Sequence, residues 1–487
     1  MDKLDQIHVV SDLHLGGAPG QQIMNQGEAL AQVIDHLAGI GGARVGLVLN
    51  GDIVDFLAAE DAQHFDAEGA PRKLRAIFDD PAFSPVWSAL LRFARTPDRL
   101  LVLVLGNHDV ELALPAVQDL LLARLTGGDA AARGRVRLAM DGAGYTCLVG
   151  GRRVLCVHGN DADPWNVVDH DALRAFVRAE NVGARATPPS PNAGTRLVVD
   201  VMNDIKRQYP FVDLLKPETV PVPGVLLALP ASVHAKLLDF ARIVLRLGWD
   251  KARSDAGFLG EEAPPPTPAD GYRALSTLIG AAAPSVDPGD LLAQAERDHA
   301  ARRRPTDAEV LGDEQMLGVG GLILDRVRGR DGRENLREAL QSYLAGDRTF
   351  AHDTEDAIFH AHDEEVSPEV SFIVAGHTHL ERRLVRKRGG GVYFNSGTWI
   401  RLIRMEDDVL ASPRRFEPVY RALAAGRLAD LDATPGLVIT RRTVVSIWTE
   451  AGEVHGELRH AHASGAAGPE PWDHLPETRF SLASLEN

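Results

Sequence analysis

Two histidines one residue apart, His377 and His379 in GHTH, close an apolar run, SFIVAGHTHL. Alternate residues of a strand point to the same face, so both rings could reach one point in space. A lone pair of this kind is more often incidental than functional, and its meaning depends on partners. The chain supplies them in order: Asp12 and His14 in DLH, Asp52 in GD, Asn107, His108 and Asp109 in GNHD, and His158 in HGND. Taken singly, each cluster reads as a turn or a cap. Together they form a set of five, each following a Val/Leu/Ile-rich run, which chance does not readily produce.

The residue types suit metal-assisted hydrolysis. Two divalent cations about 3.5–4 Å apart need a ligand that touches both, and a carboxylate has two oxygens to bridge with; Asp52 is the candidate. Imidazole mixed with carboxylate favours first-row ions such as Mn, Fe, Zn or Co over Mg or Ca. Asn107 offers a neutral carbonyl oxygen, which limits negative charge where an anionic phosphate must also bind. Glycines before Asp52, Asn107 and His377 are expected to allow sharp turns at the strand ends.

This ordered set, D-x-H, G-D, G-N-H-D, H, G-H-x-H, resembles the calcineurin-like metallophosphoesterases. The likeness covers roughly the first 165 residues and the region near Val370–Trp399. It implies an α/β fold, a metallophosphoesterase-type β-sandwich flanked by helices in four α/β/β/α layers. It implies one metal on Asp12, His14, Asp52 and His379, and a second on Asp52, Asn107, His158 and His377. Manganese is the first expectation, with iron, zinc or cobalt as alternatives. Catalytic roles fall to His108, which would contact the phosphate or protonate the leaving oxygen, and to Asp109, which would orient His108. The implied nucleophile is a hydroxide bridging the metals, attacking a phosphodiester or pyrophosphate.

The elements that must position these residues can be read from the pattern. IHVVSDLH, VGLVLNGD, LLVLVLGNHD, RRVLCVHGND and SFIVAGHTH are apolar runs ending in polar clusters, as expected of strands covered on both faces. Open α/β sheets place ligands beyond strand ends. This divides the chain into a first core part, 1–165, a mainly helical insertion or cap, 166–365, a second core part, 366–470, and a loosely ordered tail, 471–487. Helical patterns in the insertion are LVVDVMNDIKRQY, SVHAKLLDFARIVLRL and NLREALQSYLAG, separated by EEAPPPTPADG and APSVDPGD. After GVYFNSGTW a single helix, YRALAAGRLADL, and a strand pair, TRRTVVSIWTE and GEVHGELRHA, are expected.

The insertion carries a second, more local resemblance. GRRVLCVHGND and VLLALPASVHAKLLDFARIV look like stretches of UDP-2,3-diacylglucosamine hydrolases, peripheral membrane pyrophosphatases with a helical cap between the fourth and fifth motifs. This implies a small phosphorylated, lipid-linked substrate and contact with the inner membrane surface. In the helix from Val233, apolar positions fall at helical spacing with Lys236, Asp239, Arg242 and Arg246 opposite. Such a face could line an acyl groove, lie on a membrane, or simply pack on the core. Three departures stand against the likeness: GNHD replaces that family's G-N-R-D, HGND replaces its H-G-D, and the insertion is longer. Other readings are a cyclic-nucleotide phosphodiesterase or nuclease, or a non-catalytic metal-binding scaffold; the presence of His108 and every ligand weighs against the last.

Composition sets the frame. The 487 residues carry a formal charge of −16, which argues against general nucleic-acid binding. There is no signal-peptide pattern, and Val220 to Trp249, the most apolar stretch, is divided by prolines and charges. A soluble cytoplasmic protein is the expectation. Cys147 and Cys156 flank a Gly-Gly turn and would sit diagonally on one face, as buried thiols. His170, His360, His362 and the Arg386–Lys387–Arg388 cluster are read as polar surface.

Overall fold

The computed structural model describes residues 1–216, 332–344, 347–466 and 468–485. Two sheets face each other. The first holds β1 (Asp2–Leu4), β6 (Tyr145–Val149), β7 (Arg152–Cys156), β8 (Val370–Ala375), β10 (Val392–Ser396) and β9 (Glu381–Val385), in that spatial order. The second runs β15 (Trp472–His474), β14 (Glu453–Ala461), β13 (Thr443–Glu450), β2 (Gln6–Val10), β3 (Val45–Asn50), β4 (Arg99–Val104) and β5 (Val136–Ala139), with β16 (Phe480–Ala483) also pairing β14. A separate pair joins β11 (Leu402–Ile403) to β12 (Val438–Ile439).

The pleat sorts each strand into two faces. In β4, Leu100, Val102 and Val104 meet Phe372, Val374 and Phe394 across the gap between the sheets. Leu101 and Leu103 point the other way, into a core shared with the helices Gly27–Gly39 and Ser84–Arg95. The helix Ala357–Glu365 covers the outer face of the first sheet, where Phe359 packs with Ile373 and Tyr393. These are the four α/β/β/α layers expected from the sequence. Because β2, β3 and β4 run parallel, as do β7 and β8, their C-terminal ends lie at one end of the sandwich.

Some expectations change. The segment 471–487 is not a loose tail where described: β15 and β16 both pair with β14, and they cover an edge that would otherwise expose unpaired backbone groups. YRALAAGRLADL is two helices, Pro413–Ala425 and Leu428–Asp432, because Gly426 adopts φ +67 with the carbonyl of Gln208 against it. The described flanks of the 166–365 segment do not form a body apart. Phe176, Tyr209, Phe211 and Leu336 sit in the same core as the sheet and its helices. SVHAKLLDFARIVLRL and the proline-rich stretches lie outside the described residues. Among the described residues, no helix is long and apolar enough to cross a membrane.

The cysteines behave as expected. Cys147 stands opposite Val154 and Cys156 opposite Tyr145, a diagonal arrangement, and both are free and buried. Burial pushes the Cys147 thiol up to about 12.

Candidate metal centre

Each motif follows its strand with a sharp change of backbone direction. Among the described residues eight non-glycine residues have positive φ, and Asp12 (52°), His14 (44°), Asp52 (49°), His377 (71°) and His379 (61°) are five of them. Such conformations cost of order 1–3 kcal/mol each and persist only where the surroundings over-determine them. Here the loops lock together. The amides of Leu13 and His14 both donate to the Asp52 carbonyl (2.9 Å each), and Asp12 N–H donates to Gly51 O (3.1 Å). Gly376 N–H donates to His158 O (2.8 Å), and Thr398 Oγ1 to Asp12 O (2.7 Å).

The glycines act mostly by allowing close approach, which corrects the expectation of sharp turns. Gly51 does need its positive φ of 86°, and a Cβ there would sit 2.3 Å from His158 Nδ1. Gly106 and Gly376 are not in that region; a Cβ would strike Asp52 Oδ1 at 2.2 Å in one case and Asp12 Oδ2 at 2.7 Å in the other.

Among the described residues three groups of ligand-type side chains result: Asp12, His14 and His379; Asp52, His158 and His377; and His14, Asp55 and His108, of which the first two are built from the motif ligands alone. His14 Nε2 faces His379 Nε2 at 3.1 Å, with Asp12 Oδ1 3.5 Å from His379 Nε2 and Asp52 Oδ2 3.8 Å from His14 Nε2. In the second group His158 Nε2 lies 3.2 Å from both Asp52 Oδ2 and Asn107 Oδ1. Asp52 thus faces both groups through Oδ2, while its Oδ1 accepts from His108 N–H (2.9 Å).

These residues fit divalent cations. Ring nitrogens of His14 and His379 aimed at one another in a buried site need a proton or a cation between them. Two carboxylates, Asp12 (0% exposed) and Asp52 (1%), are sunk in the same place. Burial would lower the pKa of His158, yet Asp52 and Asp12 outweigh it and raise it to about 10. The charge that draws a proton there would draw a cation instead. Desolvation raises Asp12, with the Asp52 charge adding to it; Asp52 is held well below its ordinary value, since His158 and His108 overcome its burial.

The ring nitrogens turned away from the centre have partners of the kind that fix ligand orientation. His158 Nδ1 donates to Asn50 O (2.9 Å) and His14 Nδ1 to Asp55 Oδ2 (3.3 Å). His377 Nε2 lies 2.9 Å from Asp163 Oδ2, which leaves Nδ1 as its ligating atom. For His379, burial and then the charge of Lys216 hold the pKa well below the ordinary value, so the ring is neutral.

The partner of His108 is Asp55, not Asp109. His108 Nδ1 lies 3.2 Å from Asp55 Oδ1. Asp109 is fully buried and spends both oxygens on backbone amides, Gly106 N–H and Ile53 N–H, each at 2.7 Å. It pins the GNHD loop to the GD loop, and the pinning orients its carboxylate into the protein. Burial opposes charge on His108, but Asp55 and Asp52 prevail and raise its pKa to about 9. Asp55 in turn is held far below its ordinary value: its burial is overcome by His108 and His14.

Sequence reasoning missed Asp55 and Asp163. Asp55 left a signal, since GDIVD places a second carboxylate three residues past Asp52, where it also caps the turn Phe56–Ala58. Asp163, five residues past His158, left none. The other singled-out histidines lie apart from the two groups. His170 Nε2 is 3.6 Å from Asp161, His360 Nε2 is 3.4 Å from Glu355, and His362 Nδ1 donates to Ile358 O at 2.8 Å. Arg386 is not surface but a buried clamp on Asp363 (3.1 Å) and the Val370 carbonyl (2.8 Å).

Residues 6–202 match the family model described as calcineurin-like phosphoesterase. No curated protein matches the chain.

Proposed function

We propose that this chain, whose residues 6–202 match the calcineurin-like phosphoesterase model, is a metal-dependent phosphoester hydrolase that cleaves a phosphodiester or pyrophosphate bond at a centre built for two cations. The observation that carries this reading is Asp52, whose carboxylate faces both ligand groups. Asp12, His14, Asp52 and His379 would hold one cation, and Asp52, Asn107, His158 and His377 the other. When bound, the cations, manganese by first expectation, supply a water of lowered pKa and neutralise charge developing on the phosphoryl oxygens.

The chain's own contribution centres on His108. Asp55 accepts from Nδ1 and so fixes the ring, leaving Nε2 to hold the proton that a leaving alkoxide or phosphate oxygen needs. General acid catalysis of this kind is worth typically 10²–10⁴-fold, most where the leaving group is a poor one. Lys206 and Lys216 bring positive charge toward His108 and His379. Asn203, which anchors this segment, donates to Leu57 O (3.0 Å), close to Asp55. An anionic ester approaching from that side meets attraction despite the net charge of −16.

A lipid-linked substrate of the UDP-diacylglucosamine kind and membrane contact are proposals whose likeness rests on GRRVLCVHGND and on a stretch outside the described residues; cytoplasmic location is a proposal as well. A substrate panel tests the reading: a phosphomonoester, a bis-aryl diester, cyclic AMP, an activated pyrophosphate and a UDP-diacylglucosamine, each with added manganese. Turnover that survived Asp52→Ala or His158→Ala would sink the two-cation mechanism. Selective loss of poor leaving groups in His108→Ala would support proton donation.

A further inference from the structure

A cleft of about 810 Å³ is lined by Glu381 at the start of β9, by Arg441 and Arg442 just before β13, and by His460 and Ala461 at the end of β14. That is within the span of small-molecule sites, roughly 300–1,000 Å³. Gly397 stands between the cleft and the metal centre. A Cβ on it would lie 3.3 Å from Glu381 Cβ on the cleft side, while its carbonyl accepts from Ser11 Oγ (3.3 Å) beside Asp12.

Glu381 is 5% exposed and accepts from Thr443 Oγ1 (2.8 Å), His460 Nε2 (2.7 Å) and Arg441 Nη1. Buried ionic clusters are weak evidence of a stability gain, because desolvation offsets the attraction. What this one does is fix the Arg441 guanidinium. Among the described residues Nη1 is the atom of that guanidinium with a protein acceptor, although the side chain is only 22% exposed. An arginine has five donors, so most are held ready at the cleft without protein acceptors. The same guanidinium lies 5.6 Å from the Phe350 ring centroid, which forms an aromatic wall.

Arg442 adds the second observation. Arg441 and Arg442 immediately precede β13, and both line this cleft. Arg442 adopts φ 51°, one of three non-glycine residues outside the motifs with positive φ among the described residues, the others being Asp98 and Ala451. The Arg442 side chain is steered by Ala461 O (2.7 Å from Nε) and Gln26 Oε1 (3.1 Å from Nη1).

We propose that this cleft is an anion-binding site, separate from the metal centre, for a small ligand that joins a phosphate or carboxylate to a flat ring. The acid group meets the spare donors of Arg441 and Arg442, where planar forks match carboxylate and phosphate oxygens. The ring lies along Phe350 and Ile439. The site is independent of the reaction proposed for the metals.

The test is calorimetric titration of phenylphosphonate, whose C–P bond resists hydrolysis, into the metal-loaded full-length protein. Two saturable events are expected in the parent, one at the metals and one in the cleft. Arg441→Gln should weaken the second at least tenfold and leave the first. Since that change disturbs a buried cluster, Ala466→Trp serves beside it, filling the cleft from an exposed lining position without removing a polar partner. Benzoate in place of phenylphosphonate identifies which acid group is preferred, and binding of either supports the site. A single event untouched by both variants overturns the proposal. So does a cleft event that inorganic phosphate alone reproduces at full affinity, or one competitive with the hydrolysed ester.

Discussion

Replacing Asp55 by Asn separates the histidine dyad from the metal ligands. Asp55 Oδ1 accepts from Leu57 N–H and Ala58 N–H (3.0 Å each) and from His108 Nδ1 (3.2 Å), while Oδ2 faces His14 Nδ1 (3.3 Å). An Asn keeps the acceptor for the two amides, so the cap and the fold are retained, and it removes the charge from both imidazoles. A hydrogen bond to a charged group is worth about 1.5–3 kcal/mol, and buried positions such as Asp55 (6% exposed) escape solvent screening. A midpoint of about 2 kcal/mol corresponds to roughly 30-fold in rate. The assay is kcat at saturating metal for Asp55→Asn, His108→Ala and the double variant, on an alkyl and a p-nitrophenyl diester. In the His108→Ala background the Asp55 substitution can act only through His14, so the two losses should fall short of multiplying by about 30-fold on the alkyl ester, and by less on the activated one. Losses that multiply to within about twofold, a coupling below roughly 0.5 kcal/mol, would refute the dyad. Coupling of His108 to Asp109→Asn in its place would restore the reading from sequence.

Three further outcomes follow from the same geometry. Asp163→Ala should weaken binding of one cation about 10–100-fold while sparing the other, because Asp163 orients His377 and holds Asn166, which accepts from Asn107, a ligand proposed for the same cation; metal titration monitored by calorimetry checks it. Gly51→Ala should disturb the same cation, since the new Cβ meets His158 at 2.3 Å and the backbone φ of 86° adds strain of order 1–3 kcal/mol; melting temperature and metal affinity should drop together. Glu111, 1% exposed, has its pKa raised from 4.5 to about 7 by burial. A carboxyl raised on folding contributes its full stability below about pH 4.5 and loses it as pH climbs to about 7. At about 1.4 kcal/mol per pH unit the loss amounts to about 3 kcal/mol. Denaturant melts should therefore show the parent falling relative to Glu111→Gln with that slope between those pH values, and parallel curves would exclude it.

How much of this was legible beforehand depends on the distance over which each residue acts. The gathering of the candidate ligands could be read because a buried parallel strand has a recognisable apolar run, and its polar terminus names the residues delivered to one end of the sheet. Asp109 was misassigned for the opposite reason. Adjacency to His108 in the chain suggested contact, but at a turn adjacent side chains diverge, and Asp109 went to the amides of Gly106 and Ile53. Asp55 took the role because the loop after β3 lies against the loop after β4, a relation made by sheet order and not by spacing.

The amino-acid sequence by itself determined the candidate metal ligands, the five strand ends and the four-layer class, since these follow from residue type and periodicity. Only the tertiary structure decided which carboxylate faces which ring, that 472–483 covers β14, and that Arg441 and Arg442 share a cleft with Phe350. Those contacts join segments up to hundreds of residues apart, and their geometry is set by packing, which no local pattern encodes.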